Sequence, residues 1–165
     1  MRKAINFIPR DRGHYRLLDL ACGTGDFPFH LHHAGFKVPI FGIDRNLEML
    51  GLSMRKCAGQ PQIHFIQGDL NQIPFKDHSF DVITMGYGLR YVADIRQILE
   101  EVYRLLTKGG IFVCLEFGVP KNLFYRRLCL GYLFLFGTLW GLVLHRKKDI
   151  YWHIVESLKA YPGQE

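Results

Sequence analysis

One hundred and sixty-five residues, 48% of them hydrophobic, suffice for one globular domain with a sizeable core, and no second domain is expected. A net charge of +6 and a pI near 9.2 do not mark a nucleic-acid surface, because the basic residues are scattered apart from one cluster, His145, Arg146, Lys147 and Lys148. The cysteines at 22, 57, 114 and 129 lack both the paired spacing of a zinc site and the density of a disulfide scaffold, which excludes a small secreted framework and fits a reducing cytoplasm.

Met1 to Arg10 carries too short an apolar core for a secretory signal. Leu17 to Leu20 reads as a strand that breaks into Ala-Cys-Gly-Thr-Gly-Asp, a tight turn in which Gly23 and Gly25 permit left-handed backbone and close approach to a ligand. Asp26 is expected to cap a helix over Phe27 to Ala34, which tolerates Pro28 in its first turn and stops at Gly35. Val38 to Asp44 is a second strand, and Asn46 to Ala58 a second helix with Leu47, Leu50 and Met54 at helical spacing. Ile63 to Ile66 is the third strand and Phe80 to Met85 the fourth. Ile95 to Leu106 is an amphipathic helix ended by Lys108-Gly109-Gly110, and Ile111 to Phe117 is the fifth strand. Strands alternating with helices predict an α/β fold, a doubly wound and mainly parallel sheet with both faces covered.

Nucleotide-like molecules bind such sheets at the carboxyl ends of the strands. Asp44 ends the second strand a little under twenty residues after Gly25, where an acid can accept hydrogen bonds from both hydroxyls of a ribose. A pyrophosphate turn would need a third glycine, but the chain continues Asp26-Phe27-Pro28, and Asp26 would repel a phosphate at the helix start. A cofactor with a ribose and no phosphate fits better, namely S-adenosylmethionine. At the end of the third strand Asp69 can meet the adenine amino group while Leu70 covers the ring face; the plainer alternative for Asp69 is a surface-loop acid. His30, His32 and His33 diverge around the first helix with no carboxylate at suitable spacing, so no metal is expected. Cys22 reads as a small packing residue because no local histidine is paired with it.

The chain carries Asp-Leu-Ala-Cys-Gly-Thr-Gly-Asp from Asp19, Gly-Ile-Asp at 42 to 44 with Met49-Leu50, and Ile-Pro-Phe at 73 to 75. It adds Ser-Phe-Asp-Val-Ile-Thr at 79 to 84, Gly-Leu-Arg-Tyr-Val at 88 to 92 and Leu-Glu-Phe at 115 to 117. These motifs resemble class I methyltransferases, and more narrowly the ubiquinone/menaquinone biosynthesis C-methyltransferase family. The similarity runs from about Leu17 to the Tyr161-Pro162-Gly163-Gln164-Glu165 segment. It implies one Rossmann-like domain over residues 1–165, with a core at 16–118, strand order 3-2-1-4-5 and S-adenosyl-L-methionine as cofactor. Gly23, Thr24 and Gly25 would line the methionine end, Asp44 would hold the ribose, and Asp69 and Leu70 would frame the adenine. Asp19 and Gly86 are assigned to the same site, with Gly86 standing where related enzymes often have a serine.

Gly88-Leu89-Arg90 and Leu115-Glu116-Phe117 with Pro120 narrow the implied substrate to a quinol. C-methylation requires a hydroquinone ring carbon to attack a sulfonium methyl in line, so the adjacent hydroxyl proton must pass to a base or a positioned water. Arg90 is the candidate that organises this water or stabilises the phenolate, and Tyr87 the candidate that lies against the ring. Each also reads as structural, an arginine of the strand-to-helix loop and a tyrosine packed beneath it. The expected function is C-methylation of a polyprenyl quinol, either demethylmenaquinol or a methoxy-benzoquinol. Methylation of another small apolar acceptor and an inactive cofactor- or partner-binding remnant are the alternatives.

Within a helical stretch at 121–160, Leu128 to Leu144 is almost wholly apolar between Arg126-Arg127 and the basic cluster. It is short of the about twenty residues that a membrane span needs, so a buried helix or an interfacial helix gripping a polyprenyl chain is expected ahead of an anchor. The flanking charges suit an anionic membrane surface, which places the protein in the cytoplasm at the inner membrane face. Members of the resembled family usually have a helical region before the first strand and further strands after the fifth. Without those strands the fifth is an apolar edge, which the 128–144 segment or a second copy of the chain, as a homodimer, would cover.

Overall fold

A computed structural model describes residues 1–9, 15–118 and 122–132 of the chain, which divides into two units, Met1–Glu116 and Phe117–Glu165. In the first unit β1 (Leu17–Leu20), β2 (Ile40–Asp44), β3 (Ile63–Gln67), β4 (Phe80–Gly86) and β5 (Leu106–Leu115) form one sheet in the order β3-β2-β1-β4-β5. Every neighbouring pair is parallel. The expected α/β fold and strand order are therefore those observed. The order reverses at β1, between β2 and β4, and it is beyond the carboxyl ends of the strands at such a switch point that open α/β sheets form their ligand crevice.

Three helices make the crossovers: α2 (Asp26–His33), α3 (Leu47–Lys56) and α4 (Ile95–Leu105), while a short α1 (Arg2–Ile5) precedes β1. Strand side chains alternate between two core layers. Leu17, Ile40 and Val82 pack with Phe27 and Leu31 of α2 and with Ala4 and Ile5 of α1. Leu18, Leu20, Ile43, Ile83 and Met85 face the other way, onto Ile98, Val102 and Leu105 of α4. Along the edge strand β5, Ile111, Phe112, Val113 and Leu115 are half-buried and Cys114 is exposed.

Several boundaries differ from those read in the sequence. Asp26 is the first residue of α2 and not its cap; Gly25 stands at the cap with φ +75°, and the Asp26 carboxylate is turned to Thr24 and Lys56. β2 starts at Ile40 instead of Val38 because Pro39 has no N–H to give the ladder. Asn46 caps α3, its Oδ1 accepting from the N–H groups of Glu48 and Met49. The buried stripe of α3 is Leu50 and Ser53, whereas Leu47 and Met54 are 63% and 53% exposed. Ser53 takes the inner position because its Cβ closes on the space left by Gly25.

The largest difference is at β5. The sequence predicts a helix through Leu106 and a strand from Ile111, but α4 stops at Leu105 and β5 begins at Leu106. Strand pairing decides this: the Ser79 N–H donates to the Leu105 carbonyl and Leu106 registers with Phe80. A register irregularity between Phe80 and Val82 then absorbs Gly109 and Gly110.

In the second unit residues 123–132 are helical, and Asn122 Oδ1 accepts from the N–H groups of Phe124 and Tyr125 at the start. Leu123, Phe124, Tyr125, Leu128 and Tyr132 are exposed. The remainder of the 128–144 stretch and the basic cluster lie outside the described residues. Among the described residues no helix is long and apolar enough to cross a membrane.

Candidate functional site

The site grows from the end of β1. After Leu20 the backbone passes through left-handed values at Gly23 (φ +52°) and Gly25 (φ +75°), where a side chain would be strained. Gly25 is constrained by packing as well, since a Cβ there would lie 2.9 Å from Ser53 Cβ and 3.0 Å from the Phe65 ring. A Cβ at Gly42, on β2, would likewise lie 2.8 Å from the same ring and 3.0 Å from Cys22 Sγ. Phe65 thus sits in the space that two glycines leave. Cys22 is buried, and burial pushes its thiol far above the ordinary range, so it is a packing residue.

Parallel pairing of β1 with β2 brings Asp44 to this loop. Asp44 Oδ2 accepts from the Gly23 N–H at 2.8 Å, and Oδ1 accepts from the Asn46 N–H at 2.8 Å. The Gly68 N–H donates to the Asp44 carbonyl at 3.1 Å, which ties the turn after β3 to the same point. Asp69 is exposed, its Oδ1 accepting from the backbone and side chain of Asn71 at 2.9 and 2.8 Å. Its Oδ2 accepts no hydrogen bond among the described residues. Leu70 packs half-buried against the layer under α4.

The expected repulsion by Asp26 is answered inside the fold. Lys56, at the end of α3, places Nζ 2.8 Å from Asp26 Oδ1 and 3.4 Å from Thr24 Oγ1, while Thr24 Oγ1 donates to Asp26 Oδ2 at 2.8 Å. Partial burial pushes the Asp26 carboxyl up, but the Lys56 and Thr24 hydrogen bonds and the Lys56 charge together hold it below its usual value. Beneath the loop, Asp19 registers with Thr84 of β4, and Thr84 Oγ1 donates to Asp19 Oδ1 at 2.6 Å. Asp19 is 2% exposed. Burial, reinforced by the charges of Asp26 and Asp44 and opposed by the Thr84 bond, raises its pKa to about 8. Gly86 ends β4, and a Cβ there would lie 2.7 Å from the ring of Phe27. The room that a serine would occupy is filled from α2.

Tyr87 follows with φ +59°, its N–H donating to the Leu115 carbonyl at 2.7 Å. Arg90 lies on the 3₁₀ turn Leu89–Tyr91 and pairs with Glu116, Nη1 to Oε1 at 2.8 Å, while its backbone N–H reaches Oε2 at 3.3 Å. The guanidinium carbon is 4.9 Å from the Tyr91 ring centroid and 6.0 Å from that of Tyr87. Two motifs that the sequence offers separately, Gly-Leu-Arg and Leu-Glu-Phe, are therefore one ion pair.

Every proposed site residue lies in or just beyond the carboxyl half of β1, β2, β3 or β4. Hydrogen bonds join Gly23 to Asp44 and Thr24 to Asp26, and Arg90 is held instead by the end of β5. Lys56, Phe27, Thr84 and Glu116 escaped sequence reasoning. Glu116 stood in a quoted motif with no role attached; Lys56 pairs with Asp26 across 30 positions with no local signal. Among the described residues no group of three or more potential ligands could hold a metal ion.

The sequence matches the ubiE/COQ5 methyltransferase family over residues 1–165. It is 35% identical over 153 residues to a demethylmenaquinone methyltransferase of Geobacillus stearothermophilus, covering 91% of this chain and 65% of that one. To the demethylmenaquinone methyltransferase of Staphylococcus aureus (strain MRSA252) it is 34% identical over 151 residues, covering 91% and 63%. The chain thus spans less than two thirds of the length of these relatives. Among solved structures, an S-adenosylmethionine dependent methyltransferase from Mesorhizobium loti is similar with a TM-score of 0.59 and 28% identity, over 68% of this chain and 51% of that one.

Proposed function

The chain belongs to the ubiE/COQ5 methyltransferase family, and from that membership we propose that it forms the cofactor-binding part of an S-adenosylmethionine-dependent C-methyltransferase for a polyprenyl quinol. The observation that carries the reading is the 2.8 Å bond between Asp44 and the Gly23 N–H, which sets an acid beside a glycine loop at the crevice. Each Asp44 carboxylate oxygen takes one backbone N–H and keeps lone-pair capacity for a ribose hydroxyl. The donor set suits a nucleoside without phosphate, because the helix after the loop opens on Asp26 and the cation beside it, Lys56, is already paired with it. Asp69 Oδ2 suits an adenine amino group and Leu70 the ring face.

When bound, S-adenosylmethionine supplies an electrophilic methyl group. The residues of the chain prepare the nucleophile. Arg90 carries a permanent charge that favours a phenolate and cannot itself take the hydroxyl proton, which passes to water oriented by the guanidinium. Tyr87 and Tyr91 flank that cation and offer aromatic faces to the quinol ring. Methyl transfer would break the methyl–sulfur bond and leave S-adenosylhomocysteine, and the ring carbon that gains the methyl would pass its hydrogen as a proton to water, so that the ring is aromatic again.

A naphthoquinol is favoured over a benzoquinol because the relatives are named for demethylmenaquinone. On the 123–132 helix, exposed Phe124, Tyr125 and Leu128 beside Arg126 and Arg127 favour contact with an anionic membrane face, where such a substrate resides. The test is transfer of labelled methyl from S-adenosylmethionine by the full chain, offered demethylmenaquinol or a methoxy-benzoquinol with the same tail. Label in the naphthoquinol is expected; no label in either overturns the enzymatic reading.

A further inference from the structure

Arg104 lies near the carboxyl end of α4, away from the residues assigned above, yet all five of its guanidinium N–H groups are engaged. Nε and Nη2 donate to the two carboxylate oxygens of Glu101, at 2.9 and 2.8 Å. Nη1 donates to Asp77 Oδ1 at 2.7 Å and to the Phe75 carbonyl at 2.9 Å. The second Nη2 hydrogen goes to the Ile73 carbonyl at 3.2 Å. Glu101, one turn earlier on the same helix, aims the fork, and the three remaining donors all meet the segment from Ile73 to Asp77.

That segment is neither strand nor helix, and only Asn71 and Gln72 separate it from Gly68-Asp69-Leu70. Ile73 is buried, and Phe75 packs edge-on against Phe41 and Phe80 with ring centroids 5.5 and 4.8 Å apart. The Gln72 N–H donates to the Asp69 carbonyl at 3.2 Å and the Phe75 N–H to the Ile73 carbonyl at 2.8 Å, so the turn is continuous with the anchored stretch. One end of the turn is held by the Gly68 N–H on the Asp44 carbonyl, and the other by Arg104. A planar fork with fixed donor directions serves two carbonyls and two carboxylates at once, which the point charge of a lysine cannot do.

We propose that Arg104 is a positioning residue for the cofactor: by holding the Ile73 and Phe75 carbonyls it fixes the Asp69–Leu70 turn that reads the adenine. The proposal rests on the reading that Asp69 and Leu70 frame the adenine. Selectivity for the base then depends on an arginine that touches no ligand.

The test is calorimetric binding of S-adenosylhomocysteine and of S-inosylhomocysteine, in which a carbonyl replaces the adenine amino donor, to the full chain. The wild-type chain is expected to prefer the adenine ligand by about 10-fold or more, the scale on which a site penalises an unmatched hydrogen bond. Arg104→Gln brings that ratio close to one by weakening the adenine ligand alone. Glu101→Gln keeps the guanidinium but loosens its aim, and lowers the ratio part-way; it also serves if Arg104→Gln does not fold. A purely structural arginine would lower the thermal midpoint and weaken both ligands alike, and a wild-type ratio in folded Arg104→Gln or Glu101→Gln overturns the proposal. A wild-type chain that binds neither ligand overturns the cofactor reading itself, and equal affinity for both overturns the adenine role of Asp69.

Discussion

Arg90 and Glu116, 26 positions apart, meet as a buried ion pair with Nη1 2.8 Å from Oε1 and only 5% and 9% of their side chains exposed. It fastens the turn after β4 to the end of β5. Removing one partner of such a pair leaves an uncompensated buried charge, at a cost of about 3 kcal/mol or more, whereas replacing both with apolar residues is nearly neutral. Urea unfolding is therefore expected to show a large loss in Glu116→Leu and recovery in Arg90→Met/Glu116→Leu. If Arg90 also favours the phenolate, the double variant regains stability without regaining methyl transfer, and full activity in it would show that the arginine is structural only.

Asp44→Ala removes the acceptor of two backbone N–H groups together with the proposed ribose contact. Hydrogen bonds to charged groups contribute about 1.5–3 kcal/mol each, so the affinity for S-adenosylhomocysteine should fall by about 100-fold or more. Calorimetry at millimolar ligand reads this directly. Undiminished binding would remove Asp44 from the site.

Asp19 has its pKa raised to about 8, chiefly by burial, against 3.8 for an ordinary carboxyl. The folded chain therefore holds more protons than the unfolded chain between these values, and the contribution of Asp19 to stability falls as pH rises from about 4 to about 8. Asp19→Asn removes this slope while keeping an oxygen for the Thr84 hydroxyl. Urea midpoints of the variant should gain on the wild type with each step up through that window and run parallel above it. Parallel curves throughout would mean that the carboxyl titrates normally.

Gly86→Ser pushes a Cβ to within 2.7 Å of the buried Phe27 ring. Overpacking of this kind costs about 1–3 kcal/mol. Phe27→Leu in the same chain is expected to recover part of the loss, so that the double-mutant cycle shows a favourable coupling. Additive effects would mean the ring yields freely.

Flotation with anionic vesicles tests the 123–132 helix. Arg126→Glu/Arg127→Glu should move the protein toward the soluble fraction at low salt, and 0.5 M salt should do the same to the wild type, with about 4 Å of screening length left. Equal recovery of wild type and variant with the vesicles would count against a charge-assisted contact.

The fold was legible because the strands carry short apolar runs, two of which stop on an acid or a small residue at Asp44 and Gly86, and β1, β2 and β4 keep the expected limits within two residues. Asp44 was legible for the same reason, as an acid at a strand end at a fixed distance from a glycine pair. The α4 to β5 junction was not, because Leu-Leu-Thr-Lys-Gly-Gly has the local chemistry of a helix end, and only pairing with Phe80 makes Leu106 extended. Long-range partners were hidden as well: nothing near Asp26 announces Lys56, and nothing near Arg104 announces the Ile73 and Phe75 carbonyls. Periodicity misread α3, where the residue facing the loop is a serine and Leu47 and Met54 are among the exposed residues.

The contact between Phe27 and Gly86 links two positions 59 apart in the order in which they could have changed. A lineage that carries a serine at the end of β4 must lose it before an aromatic on α2 can take the place that Phe27 fills, and one that starts from glycine must vacate the ring before a hydroxyl can return. Either single step crosses a less stable intermediate, so the two residues should be inherited as a pair. A hydroxyl at this point of the crevice is then a matter of ancestry as much as of ligand binding.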